Sequence, residues 1–282
     1  MPQITLDGVT FTYAVAGEEN EETIFTIHGG RGAGDHKSDF ALYRELSDRY
    51  RVISYDQRGH GKTTDTPPFT FEQLADDLET LRRHFCGDRK AIVIGGSFGG
   101  MIAMTHAVRH PDSLSHLVLR GTAPSHETED DAIEIVKQRR DRATSLSLGM
   151  IDRLFSDKVE SDTEFRLLWL AIQPLYSENF DPQLAFERTR DMDVHLEAHN
   201  ALYTPEAKAG YDLRDRLHLI SAPTLIVVGA NDWICPPSQS RIIAAAIPGA
   251  ELHEIPDANH AVHIQKKEVV LPLIREFLSR DR

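Results

Sequence analysis

The 282-residue sequence predicts an α/β fold: a mainly parallel sheet flanked by helices, with a helical segment inserted into it. Three observations predict this. Short runs such as IFTI, AIVIG and TLIVVG are almost continuously apolar, as strands buried on both faces of a parallel sheet are. They alternate with longer stretches of helical periodicity, the pattern of strands joined by crossover helices. That alternation stops between about 123 and 216, where charged segments such as DDAIEIVKQRRDRA carry no strand signal, and it resumes at SAPTLIVVG. The breaks divide the chain into a core of residues 1–122 and 217–282 and a helical cap insertion at 123–216.

Taken in order, the strands are expected at 9–16, 23–28, 51–56, 90–95, 116–121, 224–229 and 251–255. In TFEQLADDLETLRRHF, Leu74, Leu78, Leu81 and Phe85 recur at helical spacing, and Thr70 with Gln73 supplies a capping-box start. A helix over 101–109 stops before Pro111, because the residue preceding proline avoids helical geometry. PPSQSRIIAAAI and KKEVVLPLIREFL give two more. Within the insertion, FRLLWLAIQPLY likewise gives no convincing strand. No internal repeat or low-complexity segment appears.

The bulk composition narrows the function classes. A net charge of −13, with no cluster of Lys and Arg, argues against nucleic acid as a partner. Cys86 and Cys235 stand in unrelated contexts and read as ordinary thiols of a reducing compartment. The start MPQITLDGVTFTY lacks the basic and apolar segments of a signal peptide, and no apolar run nears the roughly 20 residues that span a bilayer. The expectation is a cytoplasmic protein without a membrane partner, acting on a small molecule or short peptide.

The chemistry gathers around Ser97 in GGSFGG, residues 95–100. G-x-S-x-G at a strand-to-helix junction is the nucleophile elbow, a tight turn that lifts a serine hydroxyl above the sheet. A phosphate loop is excluded, since neither the lysine nor the P-loop spacing is present. Serine needs a base, and the base needs an orienting carboxylate. In folds of this type those partners follow in the order Asp or Glu, then His. Asp232, just past the strand TLIVVG, and His260, after the last strand, fit that order. Asp257 reads as a turn aspartate and His263 as a packing or surface residue. His260-x-x-His263 has no third metal ligand nearby, so no metal or cofactor is implied. The oxyanion donors are expected from the N–H of Phe98 and from Gly30, in the HGGRGAGDH loop after the 23–28 strand.

HGG at 28–30, DQRGHGK at 56–62, GGSFGG at 95–100, GAND at 229–232 and NH at 259–260 together resemble the α/β-hydrolase superfamily, and within it the proline iminopeptidase-like branch. The resemblance covers roughly residues 1–122 and 217–282. It implies Ser97 as nucleophile, His260 as base, Asp232 as its orienter, and Gly30 and Phe98 as oxyanion donors. It also implies that 123–216 caps the site, and that Asp56, Arg58 and His28 hold structure beside it.

The departures from the family pattern bear on substrate. Arg31 stands where HGG-P-G has proline, and Thr63 where serine is usual. Arg31 reads either as a surface loop arginine or as a contact for a carboxylate or other polar group of the substrate. The cap lacks the W-x-x-W-E motif that holds a free amine in many iminopeptidases; Trp169 is followed by LAIQ. Asp191, Asp193 and Glu197 read either as a solvated acidic face or as an ammonium site. Arg31, Trp169 and Glu197 are thus the candidate substrate contacts. The expected activity is hydrolysis of a small ester, lactone or amide through an acyl-enzyme. The alternatives are a prolyl aminopeptidase, a carbon–carbon hydrolase or cofactor-free lyase, and a non-catalytic ligand receptor.

Overall fold

In the computed structural model, which describes residues 1–176 and 180–280, eight strands form one sheet. They are β1 (Gln3–Leu6), β2 (Val9–Ala16), β3 (Thr23–Ile27), β4 (Arg51–Tyr55), β5 (Ala91–Gly96), β6 (Leu114–Arg120), β7 (Thr224–Gly229) and β8 (Glu251–Ile255). Their spatial order is β1-β2-β4-β3-β5-β6-β7-β8. β2 runs antiparallel to β1 and β4, and the remaining pairings are parallel.

The helices are α1 (Lys37–Tyr43), α2 (Phe71–Cys86), α3 (Phe98–Arg109), α4 (Thr128–Gln138), α5 (Leu148–Leu154), α6 (Asp162–Ile172), α7 (Pro182–Arg190), α8 (Leu196–Leu202), α9 (Pro205–Gly210), α10 (Pro237–Ala246), α11 (Val262–Gln265) and α12 (Lys267–Ser279). One sheet face packs on α2, α3 and α10 through Leu74, Leu78, Ile102 and Ile243. The other packs on α1 and α12 through Leu42, Tyr43, Val270 and Ile274. β3, β5 and β7 are buried along their whole length, which is why they read as unbroken apolar runs. Between β6 and β7 the described elements are helices α4 to α9. Their apolar faces make a third cluster, closed from the core side by Ala33 and Trp233.

The sheet order reverses at β3, whose neighbours are β4 and β5. A crevice therefore opens where their connections part, at the carboxyl ends of β3 and β5. Register fixes what faces it: Ile27 pairs with Gly95, so the two following loops start side by side.

Several boundaries differ from the sequence reading, each for a local reason. β1 lacks the apolar run of a central strand because it is an edge strand exposed at alternate residues. It joins β2 through Asp7-Gly8, both with positive φ, a tight hairpin turn. α3 begins at Phe98 rather than Met101, with Ser97 as its N-cap. The capping box of α2 is only half formed: Gln73 N–H donates to Thr70 Oγ1 at 3.1 Å, but the Gln73 side chain donates to Asp77 at 3.0 Å. The final helical pattern KKEVVLPLIREFL forms α12, and a short helix the sequence reading did not separate, α11, precedes it up to Gln265. Among the described residues no helix is long and apolar enough to cross a membrane.

Candidate active site

The elbow is a steric necessity. A Cβ on Gly99 would overlap the Ile27 carbonyl oxygen, and one on Gly95 would lie 2.5 Å from the Gly99 carbonyl oxygen. Only glycine lets α3 descend this closely onto β3 and β5. Ser97 itself has φ 53° and ψ −123°. For a residue with a Cβ this conformation costs about 1–3 kcal/mol, and it persists only where the surroundings dictate it. Here Ser97 N–H donates to the Arg120 carbonyl at 2.9 Å, and Thr122 Oγ1 donates to the Ser97 carbonyl at 2.7 Å. The strained residue is thereby fixed to the end of β6.

Asp232 is buried in the loop that leaves β7. Its Oδ1 accepts the N–H groups of Ile234 (3.1 Å) and Cys235 (3.0 Å), leaving Oδ2 for His260 Nδ1 at 2.8 Å. A carboxylate can only accept, so Nδ1 carries the proton and Nε2 keeps its lone pair for the cavity. The His260 loop is tied down through Asn259, which the NH motif contains but to which the sequence reading gives no role. Asn259 Oδ1 accepts the His260 N–H at 2.9 Å, and Asn259 Nδ2 donates to the Leu175 carbonyl at 2.8 Å. Gln265 adds a second tie, donating to the Tyr176 carbonyl at 3.1 Å.

Ser97 and His260 line one cavity of about 490 Å³, together with Gly30 and Phe98. Phe98 is the first residue of α3, so its N–H has no partner within the helix and stands at the positive end of the dipole. Gly30 has φ +95°, and an added Cβ would strike the Ala33 carbonyl. Its loop is held by His60, also outside the sequence expectations. His60 Nε2 accepts the Gly32 N–H at 2.8 Å, its Nδ1 donates to the Arg58 carbonyl at 3.0 Å, and its ring stacks on Phe98 at 5.6 Å. Burial pushes its pKa down to about 3, so the ring is neutral and keeps an acceptor for Gly32. One imidazole thus supports both candidate donors.

The neighbouring motif residues hold structure. Asp56 accepts from the His36 backbone and ring and from the Lys62 N–H, and Arg58 is paired in bidentate fashion with Asp77 at 2.6 and 2.7 Å. His28 Nδ1 donates to the Gly29 carbonyl at 2.8 Å. His263 is buried and turns its Nε2 to Asp39 at 3.2 Å, so the two histidines of His260-x-x-His263 address different carboxylates. Cys235 lines the cavity, but burial raises its thiol pKa well above the ordinary value and leaves it a poor nucleophile.

Among the candidate substrate contacts, Trp169 and Arg31 line the cavity, while Glu197 is exposed on α8 and does not. Glu197 is therefore withdrawn as a contact: its side chain lies on the outer face of its helix. Arg31 is no surface arginine either. It pairs with Glu129 at 3.2 Å and lies 4.4 Å above the Tyr203 ring, with 8% of its side chain exposed. Glu129, on α4, is the carboxylate that the sequence reading missed. Its other oxygen meets Lys208. Aromatic and aliphatic side chains, among them Phe155, Phe165, Ile172 and Tyr176, share the lining with further charged residues such as Asp35, Asp39, Asp191 and Asp193.

A serine at a strand-to-helix turn and a histidine bonded to a buried carboxylate, gathered at a sheet crevice, point to a class. The chain belongs to the α/β-hydrolase family, whose model, described as alpha/beta hydrolase fold, matches residues 22–267. Within it the protein is a proline iminopeptidase-like hydrolase. It is 43% identical over 279 residues to a protein of Pestalotiopsis fici named proline iminopeptidase PfmaB, covering 98% of this chain and 99% of that one. Among solved structures, an enol-lactonase from Burkholderia xenovorans matches with a TM-score of 0.71 at 26% identity, covering 99% of this chain and 100% of that one. A meta-cleavage product hydrolase from Pseudomonas fluorescens shares the fold with a TM-score of 0.77 at 20% identity, covering 100% and 98%.

Proposed function

We propose that this enzyme is a serine hydrolase of small esters, lactones or amides, with residues 123–216 forming a cap over the site. The observation that carries the reading is the His260–Asp232 pair at 2.8 Å sharing one cavity with the strained Ser97. In the mechanism, Ser97 Oγ attacks the substrate carbonyl while its proton passes to His260 Nε2. Charge on the carbonyl oxygen is met by the Gly30 and Phe98 N–H groups. The tetrahedral intermediate collapses, the carbon–heteroatom bond breaks, and the leaving group takes the proton from His260. Water then gives a proton to His260 and adds its oxygen to the acyl carbon. Collapse of that second intermediate returns the proton to Ser97 and releases the acid. Asp232 stabilises the imidazolium in both halves and stays ionised.

A second reading is a prolyl aminopeptidase. It is favoured by the name of the relative from Pestalotiopsis fici and by Glu129, a carboxylate inside the cavity. The first is preferred because Glu129 is already paired with two cations, Arg31 and Lys208, which weakens its hold on a substrate ammonium.

Turnover of short p-nitrophenyl esters against proline p-nitroanilide separates the two. Ester cleavage that Ser97→Ala lowers by about 10⁴-fold or more is the expected result. Exclusive cleavage of the anilide selects the peptidase, and turnover that survives Ser97→Ala overturns both.

A further inference from the structure

We propose that Arg31 forms a subsite for an anionic group on the substrate, a carboxylate carried by the molecule away from its reacting carbonyl, with Lys208 sharing the Glu129 counter-charge from behind. The proposal rests on the serine-hydrolase reading above.

Position comes first. Arg31 follows Gly30 directly, so the residue after one oxyanion donor carries a guanidinium into the cavity. Its Nη2 lies 3.4 Å from Met101 Sδ, and Met101 N–H donates to the Ser97 carbonyl at 3.2 Å, one helical turn from the elbow. The cation therefore stands beside the reacting centre, flanked by the rings of Tyr203 at 4.4 Å and Phe71 at 5.6 Å. A planar guanidinium on aromatic rings is preorganised to meet a carboxylate or enolate oxygen.

Charge comes second. Glu129 is one carboxylate facing two cations, Arg31 on one oxygen and Lys208 on the other. Lys208 Nζ also donates to the Phe155 carbonyl at 3.1 Å, which fixes it on the far side of Glu129 from Arg31. The side chains of the Arg31–Glu129 pair are only 8% and 10% exposed, so solvent screens them weakly. The group carries one net positive charge.

The other carboxylates lining the cavity do not offset it, since each has a cation of its own. Asp35 pairs with Lys37, Asp39 with Arg120 at 3.3 Å, Asp191 with Arg190 at 2.7 Å and Asp193 with Lys62 at 3.0 Å. A substrate ammonium finds no spare negative charge here. A substrate carboxylate finds a spare positive one among aromatic walls.

The test compares p-nitrophenyl butyrate with mono-p-nitrophenyl succinate, a neutral and an anionic ester of similar size, by the ratio of their kcat/KM values. Arg31→Gln is expected to lower the anionic-to-neutral ratio by about 10- to 100-fold, the worth of a charged hydrogen bond. Lys208→Met, at a more exposed residue, lowers it less and keeps the test open if Arg31→Gln fails to fold. Glu129→Gln removes the counter-charge and raises the ratio. Opposite shifts from the Arg31 and Glu129 variants support the subsite. Equal losses on both esters in all three variants reduce the cluster to a structural ion pair and overturn it, as does a wild-type preference for the neutral ester. If neither ester is turned over by the wild type, the ester-hydrolase reading fails, which is a different outcome from failure of the subsite.

Discussion

Ser97, His260 and Asp232, the proposed catalytic residues, depend on neighbours outside the proposed chemistry. His60 accepts the Gly32 N–H, donates to Arg58 and stacks on Phe98, so the Gly30 loop and the start of α3 share one support. Misplacing a reacting group by about 1 Å can cost about 100-fold in rate. His60→Leu, which leaves the Gly32 N–H without its acceptor, should therefore lower kcat by about 10- to 100-fold while KM stays near the wild-type value. Equal kcat in the two proteins would show that the loop holds itself. No motif reports His60 in this role, because the bond joins two loops whose meeting depends on the fold. Arg31 was obscured for a related reason: RGAGDH reads as a polar surface loop until Tyr203 and Glu129, from distant positions, close over it.

At the level of elements, the contact of α3 with β3 and β5 decides whether the elbow exists. A methyl on Gly99 points into the Ile27 carbonyl, which is backbone and has nowhere to go. Gly99→Ala should cost about 3 kcal/mol or more through overpacking and abolish ester turnover. Gly210→Ala, where nothing lies within 4 Å of the added methyl, should leave the melting temperature unchanged or slightly higher. Paired melting curves check both, and a stable, active Gly99→Ala would refute the steric account. This element was legible in GGSFGG because its constraint is local. The buried parallel strands were legible too, since burial on both faces writes an apolar run. β1 was not, because a four-residue edge strand buries too little to leave a pattern. The helices at 123–216 lost their individual boundaries because their apolar faces pack on one another and on Trp233, a residue far along the chain.

For the whole molecule, the buried histidines set the response to acid. Burial holds His60 at about 3 and His199 and His263 at about 4, below the ordinary value of 6.5, and it lowers His28 and His106 as well. The unfolded chain accepts protons on these rings near pH 6.5 and the folded protein does not. Their contribution to stability is therefore complete above pH 6.5 and is lost as pH falls toward about 4. His60, His199 and His263 each contribute a slope of about 1 kcal/mol per pH unit within that window. Urea midpoints should be flat with respect to these groups between pH 7 and 8 and fall steeply from pH 6.5 to 5. Undiminished stability at pH 5 would mean that the rings are protonated in the fold.

The bonds from Asn259 to Leu175 and from Gln265 to Tyr176 reach from the histidine loop into the helical segment. Moving that segment away at Leu175 and Tyr176 must break both, and the broken bonds belong to the loop that aims His260. Access and chemical competence are thereby set against each other. With His260 as the proposed base, opening along this line would leave it unaligned, so the two bonds would tie bond cleavage to the arrangement in which they are made.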